Sequence, residues 1–165
     1  LSSYNILNNL LPGAIFCYLM DFLLKINLFK EDVIVNLCLF YFLGMIVSRI
    51  GSVIVEPLLK KCKFIVFANY EDYIYASKED SKIEILSETN NLYRSILGLS
   101  LTLLIVKLYL IIIKQYSYLN TFSPIIIIIS IFILFAFAYK KQTKCIKQRV
   151  EKLKNERGVL ENEHS

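Results

Sequence analysis

The sequence predicts an all-α integral membrane protein. Four transmembrane helices form two hairpins, with a helical cytoplasmic segment between spans two and three and a basic helical tail. Three observations predict this. The 165 residues are 56% hydrophobic and only 20% charged, with mean hydropathy +0.52, more apolar surface than a soluble domain of that length can hide. The apolar residues fall in blocks and are not spread along amphipathic elements. None of the blocks alternates at period two, which excludes a transmembrane β-barrel.

The first block, residues 10–28, reads LLPGAIFCYLMDFLLKINL, with Pro12 and Gly13 expected in its opening turn, where a missing N–H matters little. The second, residues 33–55, passes through GMIVSRIGSVIV, and Arg49 is expected where the helix leaves the hydrocarbon. The third, residues 95–113, reads SILGLSLTLLIVKLYLIII. The fourth, residues 122–139, contains IIIIISIFILFAFAY, with Ser123 and Pro124 as a cap-and-start signal. Each block has about 18 to 23 residues, which at 1.5 Å per residue crosses a core of roughly 30 Å. The fourth is apolar on every face, which rules out a surface helix. Links of about four to eight residues make each pair a hairpin of antiparallel neighbours.

Lysine and arginine placement sets the orientation. The middle segment carries Arg49, Lys60, Lys61, Lys63, Lys78, Lys82 and Arg94. The tail, residues 140–165, adds Lys140, Lys141, Lys144, Lys147, Arg149, Lys152, Lys154 and Arg157. The short loops hold only Lys25, Lys30 and Lys114. The positive-inside bias therefore puts both termini and the middle segment in the cytoplasm. Nothing basic precedes the first block and no small-residue cleavage site follows it, so no cleavable signal peptide is expected.

Residues 56–94 read as ordered. Asn69 with Asp72 resembles a capping box that opens a short helix, YEDYIYAS. A second helix starts near Asp80 and Ser81 and runs into the third span as one rod of about 30 residues, since only Gly98 interrupts strong helix formers. In the tail, Ile146, Val150, Leu153 and Leu160 recur at helical spacing, and Gly158 is expected to fray the end.

No catalytic signature is visible. His164 is the single histidine, there is no tryptophan, and no nucleophile elbow, zinc motif or P-loop occurs. Cys17, Cys38, Cys62 and Cys145 form no C-x-x-C pair and read as small hydrophobes. No enzyme activity, cofactor or metal is expected. The net charge of +5 comes without a nucleic-acid-binding motif, so it is assigned to topology and anionic headgroups.

Gly44, Ser48 and Ser52, with Gly51 beside them, make a small-residue stripe on the second span. Such a stripe packs helices closely, either within the chain or between copies of it. Asp21 and Lys107 are the charges deepest in apolar blocks, each roughly 9 Å below the outer interface. They either pair across the hairpins, or Lys107 snorkels while Asp21 pairs with Lys25. Arg49, Glu56, Glu88, Asn90, Asn91 and Arg94 gather near the inner ends of spans two and three, as a polar network or as ordinary helix-end solvation. Tyr70, Tyr73, Tyr75 and Tyr93 suit a membrane-proximal interface. The tail, with Glu151 and Glu156 among its lysines, favours a solvated or paired helix, through self-association or a cytosolic protein partner.

The stretch GMIVSRIGSVIVEPLLKK followed by NYEDYIYASKEDSKIEILSETNNLYR resembles a block in small bacterial membrane proteins of anti-phage loci, among them the four-span subunit of the Kiwa system and retron-associated membrane effectors. The likeness covers about 50 of the 165 residues, and four spans depart from the two of retron effectors. It implies an inner-membrane sensor or effector that works by oligomerising or by binding a cytosolic partner. A small channel or transporter subunit, and a membrane anchor for a soluble enzyme, are the alternatives.

Overall fold

A computed structural model of the protein describes residues 3–116 and 118–163, with side chains described for 8–116, 119 and 121–153. The regular structure among these residues is helical: α1 (Ser3–Leu24), α2 (Val33–Ile50), a π-helical turn (Gly51–Val55), α3 (Glu56–Lys61), α4 (Tyr70–Glu79), α5 (Lys82–Gln115) and α6 (Tyr118–Glu163). Helix α2, the π turn and α3 are continuous. Three stretches are long and apolar enough to cross a bilayer: Val33–Lys61, Lys82–Gln115 and Thr121–Leu153. Helix α1 contributes a shorter apolar stretch, Asn8–Leu24.

Helix α1 lies along α2 with the two backbones in contact. A Cβ added at Gly13 would collide with the Phe40 carbonyl, and one added at Gly44 with the Asn9 carbonyl. With glycine on each side, the axes approach closely enough for dispersion and Cα–H contacts to act. The connection, residues 25–32, is braced by its own polar groups. Asp32 caps α2 by accepting from the N–H groups of Ile34 and Val35 at 2.7 and 3.3 Å. Asn36 bonds both the N–H and the carbonyl of Lys30, at 2.7 and 2.8 Å. Lys25 leaves α1 at φ 58°, a left-handed conformation that costs a β-carbon-bearing residue about 1 kcal/mol.

Helix α5 packs onto α2 through a second pair of glycines. A Cβ at Gly98 would lie 2.5 Å from the Val47 carbonyl oxygen, and one at Gly51 would lie 2.5 Å from the Arg94 carbonyl oxygen. Phe16 and Met20 of α1, Val47 of α2 and Leu99 of α5 form the apolar core where the three helices meet. Helix α6 is attached more lightly. Most of its apolar side chains are exposed, and the Tyr109 hydroxyl donates to Ser123 Oγ at 2.7 Å.

Helix α5 has 34 residues, roughly 51 Å, so the rod expected from the sequence forms without a break. Four local expectations need correction. Pro12 is not in an opening turn, because α1 starts at Ser3; the residue is fully buried in mid-helix, where it denies the Asn8 carbonyl its helical donor. Ser123 and Pro124 do not start α6, which begins at Tyr118; the Ser123 hydroxyl is engaged by Tyr109 and does not cap. Asn69 precedes α4 in an extended conformation but makes no side-chain cap bond, so the capping box is absent. Gly158 does not end the last helix, which continues to Glu163.

Candidate functional site

The region with the most concentrated polar chemistry lies at the junction of the π turn and α3. Its origin is local. In the π turn the Glu56 N–H bonds the Gly51 carbonyl, five residues back, so it does not reach Ser52. The next N–H that could serve the Ser52 carbonyl belongs to residue 57, and Pro57 has none. The Ser52 carbonyl is thus left without a donor from its own helix, although Ser52 is buried. A buried carbonyl needs a partner, and Lys141 of α6 supplies one.

The Lys141 ammonium donates three bonds, each 2.9 Å: to Ser52 O, to Ser52 Oγ and to Glu56 Oε2. Arg94 of α5 donates through Nη1 to the same Glu56 oxygen at 3.0 Å, and Lys60 donates to Glu56 Oε1 at 2.9 Å. The Glu56 side chain is only 7% exposed, whereas Lys60, Lys141 and Arg94 are 45, 39 and 28% exposed. One desolvated carboxylate therefore serves three cations that keep partial access to water. The cluster carries an excess of two positive charges and ties α3, α5 and α6 together at one level. Arg94 Nε and Ser95 Oγ are buried beside it without hydrogen-bond partners.

Of the polar network expected from sequence, Glu56 and Arg94 come together. Arg49, Glu88, Asn90 and Asn91 make no bond to the cluster; Arg49 borders a shallow groove with Phe135, Tyr139 and Gln142 of α6. Lys60, Lys141 and Ser52 complete the cluster in their place. Lys141 was hidden among the basic tail residues, yet an account of the Ser52 and Pro57 backbone groups signals that an outside donor is required.

The small-residue stripe is turned inward. Gly44 meets α1, Gly51 meets α5, Ser48 is buried and Ser52 holds Lys141. Asp21 and Lys107 do not pair, and Asp21 does not pair with Lys25, whose ammonium stands 5.7 Å from the Phe22 ring. The reason is rotational. Helix α5 buries Ser95, Gly98, Leu99 and Thr102, and Lys107 falls roughly 130° around the helix from that face, exposed. Asp21 sits half-buried at the margin of α1's inner face. In the tail, Ile146, Val150 and Leu153 are exposed on one face of α6; the Leu160 side chain lies outside the described residues. Lys152 reaches back to the Glu71 carbonyl of α4 at 2.6 Å. No group of three or more His, Cys, Asp or Glu converges as metal ligands among the described residues.

Comparison with protein families, curated proteins and solved structures finds no match.

Proposed function

We propose that the chain is a membrane-embedded sensor or effector subunit of a bacterial anti-phage system, working at the inner membrane by oligomerisation and by binding a cytosolic protein. In this reading α1 crosses the bilayer together with the three longer apolar stretches, giving four spans in two hairpins with both termini in the cytoplasm. The positive-inside bias supports that topology. The resemblance of residues 44–94 to membrane subunits of anti-phage loci supports the biological setting.

One observation carries the mechanism: Lys141, at the root of the α6 tail, is bonded to the π turn of α2 and to Glu56. A partner that pulls or rotates the tail would act directly on a turn whose backbone bonds depend on that lysine. The π turn stores an alternative, since reverting to α-helical bonding would release the Ser52 carbonyl. The exposed stripe of Ile146, Val150 and Leu153 is the surface such a partner would grip.

Bacteria carrying the gene with its genomic neighbours test this under phage challenge. Protection that is lost with Glu56→Gln, while the variant still reaches the membrane fraction, is the expected result. Wild-type cells no better protected than empty-vector cells would end the defence reading. The channel alternative has one specific support. Lys107 is exposed within an apolar stretch and has no ion-pair partner among the described residues, which suits a position facing another copy or a polar path.

A further inference from the structure

Helix α3 ends in a turn that reverses the chain at the inner surface. Lys63 N–H bonds Lys60 O, and Phe64 N–H bonds Leu59 O, both at 3.0 Å, with Lys63 at φ 55°. This is a Schellman closure built on lysine, without the usual glycine. The chain then folds back along α3, so that the Phe67 ring lies 4.0 Å from the Lys60 ammonium. The returning segment is apolar and uncovered: Phe64 is 78% and Val66 90% exposed. Together with Ile83 and Leu86 of α5, Ile65 and Phe67 line an open groove. Lys61 and Lys63 are exposed and meet no carboxylate among the described residues.

Depth places this segment at the headgroups. Val33–Lys61 is 29 residues, roughly 44 Å of helix, against a bilayer of about 40–45 Å including its polar layers. A helix that begins at the outer headgroups therefore ends at the inner ones. The reversal at Lys63 brings the next residues back alongside Lys60, so the segment stays within the inner headgroup layer with Phe64 and Val66 uncovered. Largely exposed phenylalanine and valine beside lysines with no carboxylate among the described residues match one chemistry there, acyl chains under anionic phosphates.

We propose that residues 60–67 form an interfacial hook, with Phe64 and Val66 among the acyl chains of the inner leaflet and Lys61 and Lys63 on the phosphates of anionic phospholipid. The proposal rests on the membrane topology proposed above and is independent of what the protein signals.

The chain contains no tryptophan, so Phe64→Trp gives a single reporter on the hook. The purified variant is placed in vesicles of equal phosphatidylcholine and phosphatidylglycerol, with bromine on the acyl chains of one lipid or the other. Quenching by both is expected, at least about threefold more efficient from phosphatidylglycerol. Adding Lys61→Gln and Lys63→Gln should abolish the preference and leave the quenching. An unquenched Phe64→Trp would overturn insertion and leave the patch to a protein partner. Equal quenching by the two lipids would overturn anionic selection, and a preference that survives both glutamines would overturn the lysine assignment.

Discussion

Replacing Glu56 with glutamine removes the carboxylate that Lys60, Arg94 and Lys141 share. The gross attraction is large, since at 2.9 to 3.0 Å and an effective dielectric of 20 each pair is worth about 6 kcal/mol. Desolvation of Glu56 and the solvent access of all three cations cancel most of it. Exposure ranks what survives. Lys141, which bonds Glu56 and Ser52 together, and Arg94, at 28% exposed, should contribute more than Lys60, which at 45% and one turn away on the same helix should contribute about 0.5 kcal/mol or less. Glutamine also turns an N–H₂ toward a donor, leaving three cations to repel one another. A net loss of about 2–3 kcal/mol is expected, somewhat below that of breaking a fully buried pair because the cations keep access to water. The assay is unfolding of the purified protein in detergent, followed by helical circular dichroism. A double-mutant cycle of Glu56→Gln with Lys141→Gln should give a coupling of about 1 kcal/mol, and Glu56→Gln with Lys60→Gln clearly less. Wild-type stability for Glu56→Gln, or strict additivity with Lys141→Gln, would refute the idea that this carboxylate joins α6 to the rest of the bundle.

Other perturbations separate backbone effects from charge effects. Gly44→Ala places a methyl group against the Asn9 carbonyl, so a loss of about 1–3 kcal/mol is expected in the same unfolding assay, whereas Ser100→Ala on the exposed side of α5 should be nearly neutral. Lys25→Gly relieves a left-handed residue at φ 58° and should raise stability by up to about 1 kcal/mol, while Lys25→Val should lower it. Pro57→Ala restores an N–H beside the Ser52 carbonyl; hydrogen exchange should show that amide protected, and Lys141→Gln should then destabilise less than in the wild-type background.

How much of this was readable from the residues depends on how local the cause is. The long apolar stretches were, because block length and the absence of breakers decide them, and α5 shows this from Lys82 to Gln115. Pro12 and Pro124 carry the signature of helix starts, and neither is one. Rules for helix ends describe what proline prefers, and here both helices begin a turn or more earlier and carry the proline inside. Asp21 and Lys107 do not meet within the chain, and Lys107 is exposed as in the alternative reading, because equal depth leaves rotation about the helix axis open. The Glu56 cluster was half visible. Glu56 and Arg94 stand out as polar residues at span ends, but Lys141 is one lysine among many, and only the missing N–H of Pro57 distinguishes it. The close approach of Gly98 to the Val47 carbonyl belongs to tertiary packing, which the stripe on α2 suggests without naming its partner.

The native cysteines allow the most direct test of a chain that crosses the bilayer with its middle segment and tail inside. Cys62 is exposed just past α3 and Cys145 is half-exposed at the root of the tail. Spheroplasts would be treated with a membrane-impermeant maleimide before and after permeabilisation, and the modified positions identified by mass spectrometry. Protection of both cysteines in intact spheroplasts, with modification once the membrane is opened, is the expected outcome. Modification of either from the outside would contradict the topology and, with it, the placement of the Glu56 cluster at the inner surface.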